Sequence, residues 1–480
     1  MDETVQIDNL RVRYANTDAV ALDGVSLRMS AGECLGLVGE NGSGKSTFAQ
    51  SVVGIIPEFF RANVAGTIRV SGQSLEDLSI VNRLGAIAYS FQDIDSQVLF
   101  GNVREVLGLG ETSTRLDLIE EAIGVLGLEP LLNRFPSELS GGQLQRLAVA
   151  TALRRGPKLI LYDEAVTALD PRARECFGAL VNQLSRRGHS LILIGQRAQI
   201  LAPYAHRMVA MVAGRLADDV AATPVPPTER RAWTDLWESV DAQGALPCAI
   251  GLALNAVCYR YGGSDAFTFG PLNAEVNPGE IIALVGENGS GKSTLFKLIL
   301  GALRPRTGTL RFSMSGGRII DRARDVSLNA LFQNPSAQLI GSTVAEELSA
   351  YFDSSGTWLP PGLLHAILDL CPFLRLERDP LELSYGEQKI LCLIGLLTGG
   401  RGLLLLDEPE QGLDERHLAA LRSWLDHLRK WRRQTLLFAT HDMELAATCA
   451  DRVWMFSQGS LARDYLRPSM GELLAAFDGR

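Results

Sequence analysis

Two nine-residue stretches of this 480-residue chain are identical. The first is Gly39, Glu40, Asn41, Gly42, Ser43, Gly44, Lys45, Ser46 and Thr47. The second is Gly286, Glu287, Asn288, Gly289, Ser290, Gly291, Lys292, Ser293 and Thr294, and the two lysines lie 247 positions apart (292 − 45). Each stretch follows an apolar run, Cys34 to Val38 or Ile281 to Val285, and opens into a helix-forming segment. In that setting the glycines let backbone N–H groups curl around a β-phosphate. The lysine reaches the β- and γ-phosphates, and the serine after it offers a hydroxyl to Mg²⁺. The chemistry implied is the binding of two nucleoside triphosphates.

The elements that position these loops are duplicated with them. Tyr14 precedes Lys45 by 31 residues, and Tyr261 precedes Lys292 by the same 31. Each half then carries a Phe-Gln pair, Phe91-Gln92 and Phe332-Gln333, and a Leu-Ser-x-Gly segment, Leu139 to Gly142 and Leu383 to Gly386. An apolar strand ending in Asp-Glu follows, Leu159 to Glu164 and Leu403 to Glu408. From the serine to that aspartate the count is 23 in both halves (163 − 140; 407 − 384). A repeat of this length predicts two domains, 1–218 and 248–466. The stretch between them, 219–247, holds Thr223-Pro-Val-Pro-Pro227, and proline clusters resist helix and sheet, so it reads as a linker. Trp233 and Trp237, four apart, predict a short helix packed back on a domain, and 467–480 reads as a tail.

Composition narrows the class. Hydrophobic residues make up 46% and charged residues 21%, the balance of a globular chain with ample core. No apolar run approaches the length of a membrane span, and the acidic start, Met-Asp-Glu-Thr-Val, lacks the apolar core of a secretion signal. Seven dispersed cysteines suit buried thiols in a reducing cytosol better than disulfides or zinc. A net charge of −9 argues against nucleic acid as a partner, since phosphate contacts need a basic face. Basic clusters such as Arg154-Arg155 read as solvated helix ends.

With all these elements in order, each half resembles the nucleotide-binding domain of an ABC (ATP-binding cassette) ATPase. The most diagnostic segment is Leu139-Ser140-Gly141-Gly142-Gln143, which matches the family signature. The resemblance implies an α/β fold: two tandem RecA-like P-loop cores, each with an antiparallel β subdomain and a helical subdomain. It implies that two such domains pair head-to-tail, each ATP lying between one P-loop and the opposite signature. ATP and Mg²⁺ are the expected ligands. Tyr14 and Tyr261 match the aromatic position that stacks on adenine. Asp163 and Asp407 match the Mg²⁺-holding aspartate, together with Ser46 and Ser293. Glu164 and Glu408 match the carboxylate that orients the attacking water, and Gln92 and Gln333 match the glutamine loop that senses the metal and the membrane partner.

The halves depart from the family pattern in different ways. Leu436 to Asp442 supplies a switch histidine, His441, where the first half has Gln196. Glutamine forms hydrogen bonds but neither carries charge nor relays a proton. The second signature reads Leu383-Ser384-Tyr385-Gly386-Glu387, adding bulk and negative charge where the first is intact. Under head-to-tail pairing both departures fall in one composite site, so one complete and one degenerate site are expected.

Phe332-Gln333-Asn-Pro-Ser-Ala-Gln338, followed by Thr343-Val-Ala-Glu-Glu347, is similar to the ATPases of energy-coupling factor (ECF) importers, and Phe91 to Gln97 is a worn version. That resemblance implies a transmembrane T component and a substrate-binding S component as partners. It also implies vitamins or transition-metal ions as cargo, and peripheral attachment at the cytoplasmic face of the membrane. A fused sugar-type importer ATPase is the alternative, and a soluble ABCF-type ribosome-associated ATPase is a weaker one.

Overall fold

Residue runs that are apolar at nearly every position form parallel strands covered on both faces. In the first half these are β3 (Cys34–Val38), β7 (Leu159–Asp163) and β8 (Ser190–Gly195), each buried along its whole length. In full, the first half carries β1 (Glu3–Tyr14), β2 (Val20–Ser30), β3, β4 (Ala62–Val70), β5 (Gln73–Ser74), β6 (Ile87–Ser90), β7, β8, β9 (Arg207–Val212) and β10 (Arg215–Ala217). The computed structural model describes residues 3–15, 20–78, 80–90, 101–111, 115–139, 141–164, 166, 169, 171–217, 249–262, 267–314, 318–321, 323, 326–352, 361–398, 402–431 and 434–478. The chain divides into two units, Met1–Thr223 and Pro224–Arg480. The proposed linker, with Trp233 and Trp237, lies outside the described residues, as do Phe91, Gln92, Gln97 and Ser140.

In the first unit a sheet of order β10-β9-β3-β8-β7-β6 is parallel except for the β10 edge, and an antiparallel sheet β2-β1-β4-β5 packs over it. Successive strand residues point to opposite faces, and this divides the core in two. Leu159, Leu161, Ile192 and Ile194 meet the antiparallel sheet and the helix Lys45–Val53 through Phe48 and Val52. Ile160, Tyr162, Leu191 and Leu193 meet the helices Leu116–Leu126 and Pro171–Arg186 on the other side. The Tyr162 hydroxyl donates to Val149 O at 3.1 Å, fastening the signature helix Gly141–Thr151 to that face.

The second unit repeats the plan with β11 (Ile250–Arg260), β12 (Thr268–Val276), β13 (Ile281–Gly286), β14 (Thr307–Met314), β15 (Ile319–Ile320), β16 (Leu328–Leu331), β17 (Leu403–Asp407), β18 (Thr435–Ala439), β19 (Arg452–Ser457) and β20 (Ser460–Leu466). Its sheets run β12-β11-β14-β15 and β16-β17-β18-β13-β19-β20. The helices Val344–Phe352, Pro361–Leu370 and Tyr385–Thr398 form its helical part. In each unit the strand feeding the P-loop, the strand ending in Asp-Glu and the strand ending before Gln196 or His441 are neighbours: β3, β8 and β7, or β13, β18 and β17. Three chemically distinct loops therefore emerge at one carboxyl edge, where open α/β sheets place their ligands.

Candidate active sites

The P-loops take their shape from glycine. Gly44, at φ 105°, precedes the helix Lys45–Val53, and Gly291, at φ 109°, precedes Lys292–Ile299. This left-handed region suits glycine, and the space around it is already filled. A Cβ on Gly44 would lie 2.7 Å from Ala21 O, and one on Gly291 would lie 2.8 Å from Phe269 Cδ2. Gly42 and Gly289 have nothing within 4 Å of a Cβ, so that side of each loop is open. Neither helix carries a side-chain N-cap, and uncapped helix N-termini of this kind receive phosphate.

Lys45 Nζ donates to Gly39 O and Glu40 O at 2.7 and 2.8 Å, and Lys292 Nζ to Gly286 O and Glu287 O at 2.8 and 3.0 Å. Both lysines are buried within their own loops. The hydroxyls of Ser43 and Ser290 are buried without a hydrogen-bond partner. A buried unpaired hydroxyl is costly, and phosphate oxygens are acceptors that would satisfy it. Tyr14 O–H lies 3.1 Å from Thr47 Oγ1 and Tyr261 O–H 3.3 Å from Thr294 Oγ1, so both aromatic rings border the loop helix.

The two aspartates are held differently. Burial pushes the Asp163 carboxyl up, opposed by the Tyr89 hydroxyl at 2.8 Å, by Lys45 and by Ser46. Burial and the neighbouring Glu408 push Asp407 up, opposed by the Ser293 hydroxyl at 2.9 Å and by Lys292 and Lys389. Tyr89 pairs across the sheet with Leu161, and Ala330 holds the same register against Leu405, so the second unit has no tyrosine at that place. Tyr89 was not singled out from the sequence, because only the strand register brings it to the aspartate. A buried carboxylate beside a serine hydroxyl suits a hard divalent cation with oxygen ligands.

Glu164 and Glu408 both sit in the left-handed region, at φ 56° and 49°. That costs a non-glycine residue roughly 1–3 kcal/mol and gathers at functional sites. Each N–H donates to a neighbouring strand, to Ile194 O at 3.0 Å or Ala439 O at 2.9 Å, which turns the chain sharply after the aspartate. In the second unit, Glu408 is gripped from two sides. Gln333 Nε2 donates to its Oε2 at 3.2 Å, and His441 Nε2 lies 3.2 Å from its Oε1. His441 Nε2 also lies 3.0 Å from Asn288 Oδ1, so a proton on Nε2 serves both acceptors. Burial pushes the Glu408 carboxyl up, but His441, Lys292 and Lys389 outweigh it and hold the carboxyl below its ordinary value.

In the first unit Gln196 Nε2 donates to Asn41 Oδ1 at 2.9 Å, the counterpart of the His441–Asn288 contact, while its buried Oε1 has no partner. Gly141, Gly142 and Gln143 open the signature helix Gly141–Thr151. In the second unit Glu387 accepts the Ser384 N–H at 2.8 Å, and the Tyr385 hydroxyl donates to Gln333 O at 2.5 Å. Tyr385 of the altered signature thus braces the glutamine loop of its own unit.

The profile of the family described as "ABC transporter" matches twice, over residues 22–167 and 269–411. A protein of Vibrio parahaemolyticus named as an ABC transporter ATP-binding protein is 26% identical over 96% of this chain and 89% of its own length. One from Lactiplantibacillus plantarum is 26% identical over 96% and 90%. Among solved structures, the chain is similar to one titled "RNase-L Inhibitor", with a TM-score of 0.61, 22% identity, and 97% and 92% of the two chains covered. It is also similar to a ribosome-bound archaeal Pelota and ABCE1 model, with a TM-score of 0.67, 22% identity, and 98% and 80% covered. At that identity the likeness is one of tandem fold.

Gly291→Ala places a methyl group against Phe269 in a strained conformation and is expected to close the second P-loop. Titration with a fluorescent ATP analogue should show bound nucleotide falling from about two equivalents per chain to about one. Unchanged stoichiometry would contradict the cradle.

Proposed function

The chain belongs to the ABC transporter family of ATP-binding proteins, and on that premise we propose that it is the energy-coupling ATPase of an ECF-type membrane importer, with the second unit performing most of the hydrolysis. The family binds ATP with Mg²⁺ and hydrolyses it to ADP and phosphate, and so does this chain. What is proposed is which residues act and what the energy drives.

The grip on Glu408 carries the catalytic reading. Kept ionised, its carboxylate accepts a hydrogen bond from a water and aims it at the γ-phosphorus. The water oxygen bonds to phosphorus as the bond to the bridging oxygen of ADP breaks. Lys292 and the P-loop N–H groups receive the charge on the β- and γ-phosphates, and with nucleotide bound the His441 Nε2–H exchanges its Asn288 acceptor for a γ-phosphate oxygen. Mg²⁺, when bound, supplies charge neutralisation between the phosphates, with Ser293, Asp407 and Gln333 suited to hold it. The first unit keeps Lys45, Asp163 and Glu164 for binding, but Gln196 offers only a neutral donor. Loss of one preorganised donor to a developing anion typically costs about 10²–10³ in rate.

The glutamine loop of the second unit supports the transport reading. Gln338 closes this loop on itself, accepting from Phe332 N at 2.7 Å and donating to Ala330 O at 2.6 Å. Buried Glu347 accepts from Ile340 N and Gly341 N, both at 2.8 Å. The loop is thus rigid, yet Ile340 is 81% exposed at its surface, as suits a seat for an apolar helix of a membrane partner. No helix among the described residues is long and apolar enough to cross a membrane. Attachment through a T component, with an S component supplying the vitamin or metal-ion site, is the reading this loop supports best. A sugar-type importer partner would use the same seat.

Two outcomes are expected. Glu408→Gln removes nearly all steady-state ATPase activity, Glu164→Gln leaves most of it, and Gln196→His raises it; equal losses from the two glutamate variants would refute the inequality. Ile340→Asp abolishes co-purification with membrane proteins from detergent extracts while leaving ATP binding intact. Recovery of the wild-type chain with ribosomes and no membrane protein would overturn the importer assignment.

A further inference from the structure

Behind the second hydrolytic site lie two buried ionisable side chains with no counterpart in the first unit. Lys389, fully buried on the signature helix, donates from Nζ to Glu408 O at 2.6 Å and to Gln411 O at 3.1 Å. It thereby ties together both ends of the turn that follows β17. Glu410, in the middle of that turn, is also buried. Its Oε1 accepts from Thr440 Oγ1 at 2.5 Å and from the His441 N–H at 3.3 Å, while its Oε2 has no partner. One side chain therefore holds the backbone of the glutamate, and the other holds the backbone of the histidine. Counting from the shared Leu-Ser-x-Gly and Asp-Glu motifs, the equivalent positions in the first unit are Gln145 and Val166, neutral and apolar.

Burying a charge without compensation is strongly unfavourable, and a partner of opposite sign is the usual remedy. Burial lowers Lys389 to about 8, with Glu410 the largest opposing influence, and burial raises Glu410 to about 7. Lys389 is further braced from above. Its Nζ lies 5.4 Å from the centre of the Tyr385 ring, whose hydroxyl donates to Gln333 O.

We propose that Lys389, through the turn after β17, and Glu410, through the His441 backbone, are two positioning residues peculiar to the second unit, which set Glu408 and His441 at bonding distance and so make that unit the faster hydrolase. This rests on the reading of Glu408 and His441 as the hydrolytic pair. Neither Lys389 nor Glu410 touches nucleotide in this account. They act on the backbone of residues that do.

The test exchanges the pair for its first-unit equivalents in the full chain, reading kcat and KM for ATP together with thermal unfolding. Glu410→Val is expected to lower kcat about tenfold or more while KM moves less than about twofold, because orientation is lost and the P-loop is untouched. Glu410→Gln keeps an acceptor for Thr440 and the His441 N–H and should retain most of the wild-type kcat. Lys389→Gln alone loses the Nζ hydrogen bonds to Glu408 O and Gln411 O and should lower the unfolding temperature. The double variant Lys389→Gln/Glu410→Val should recover that temperature yet remain slow. A double variant with wild-type kcat overturns the proposal, as does a Glu410→Gln variant as slow as Glu410→Val. Full turnover in Glu408→Gln or His441→Ala controls would instead overturn the hydrolytic assignment on which it rests.

Discussion

A carboxylate that stays ionised while almost wholly buried is the constraint around which the second unit is organised. Burial alone pushes the Glu408 carboxyl up, toward the protonated form that is a weaker acceptor for water. The histidine at 3.2 Å, with Lys292 and Lys389, reverses that tendency. Each of those groups reaches the site from a different stretch of chain: the loop after β18, the P-loop after β13 and the signature helix. The central parallel sheet makes this possible, because β13, β18 and β17 are neighbours with a common direction. The left-handed turn at Glu408 completes the placement, at an energetic cost that the buried strands on either side sustain.

The first unit shows what duplication keeps and what it lets change. Its P-loop glycines, its lysine bonded to two loop carbonyls and its left-handed Glu164 repeat those of the second unit. Around Glu164 the chemistry differs. Gln196 occupies the histidine position and bonds Asn41, and a tyrosine secures the aspartate where the second unit has an alanine. Binding and hydrolysis draw on different residues, so one can persist while the other declines. The first unit retains the P-loop groups proposed to grip a triphosphate and has Gln196 in place of the histidine proposed to serve the transition state.

Much of this was legible in the sequence because P-loops, Asp-Glu strand ends and the switch position are local patterns whose geometry is set by a few residues. The duplicated spacing pointed to two domains, and the resemblance to ABC ATPases carried by the motifs implied the α/β cores with an antiparallel sheet in each, as found. Placing Gln333, His441 and Glu408 as one site came from their motifs, and the three side chains do converge. Tyr89, Lys389 and Glu410 were missed for a common reason. Each matters through a contact across strands or between a helix and a turn, and such contacts depend on register, which the local pattern does not encode. Lys389 stands after Glu387 and Gln388 on its helix and Glu410 two residues after Glu408, positions that burial alone makes meaningful. Gln92, Ser140 and the proline-rich linker lie outside the described residues.

The central claim, that hydrolysis belongs mainly to the second unit, is tested most directly by trapping. ADP formed at a site and held there with orthovanadate marks the unit that completed the reaction. Photolabelling the trapped state with an azido-ATP analogue and mapping the labelled peptides separates the units. The account predicts vanadate-dependent label almost entirely on peptides of the second P-loop around Lys292. Equal vanadate-dependent label on peptides around Lys45 and Lys292 would contradict it.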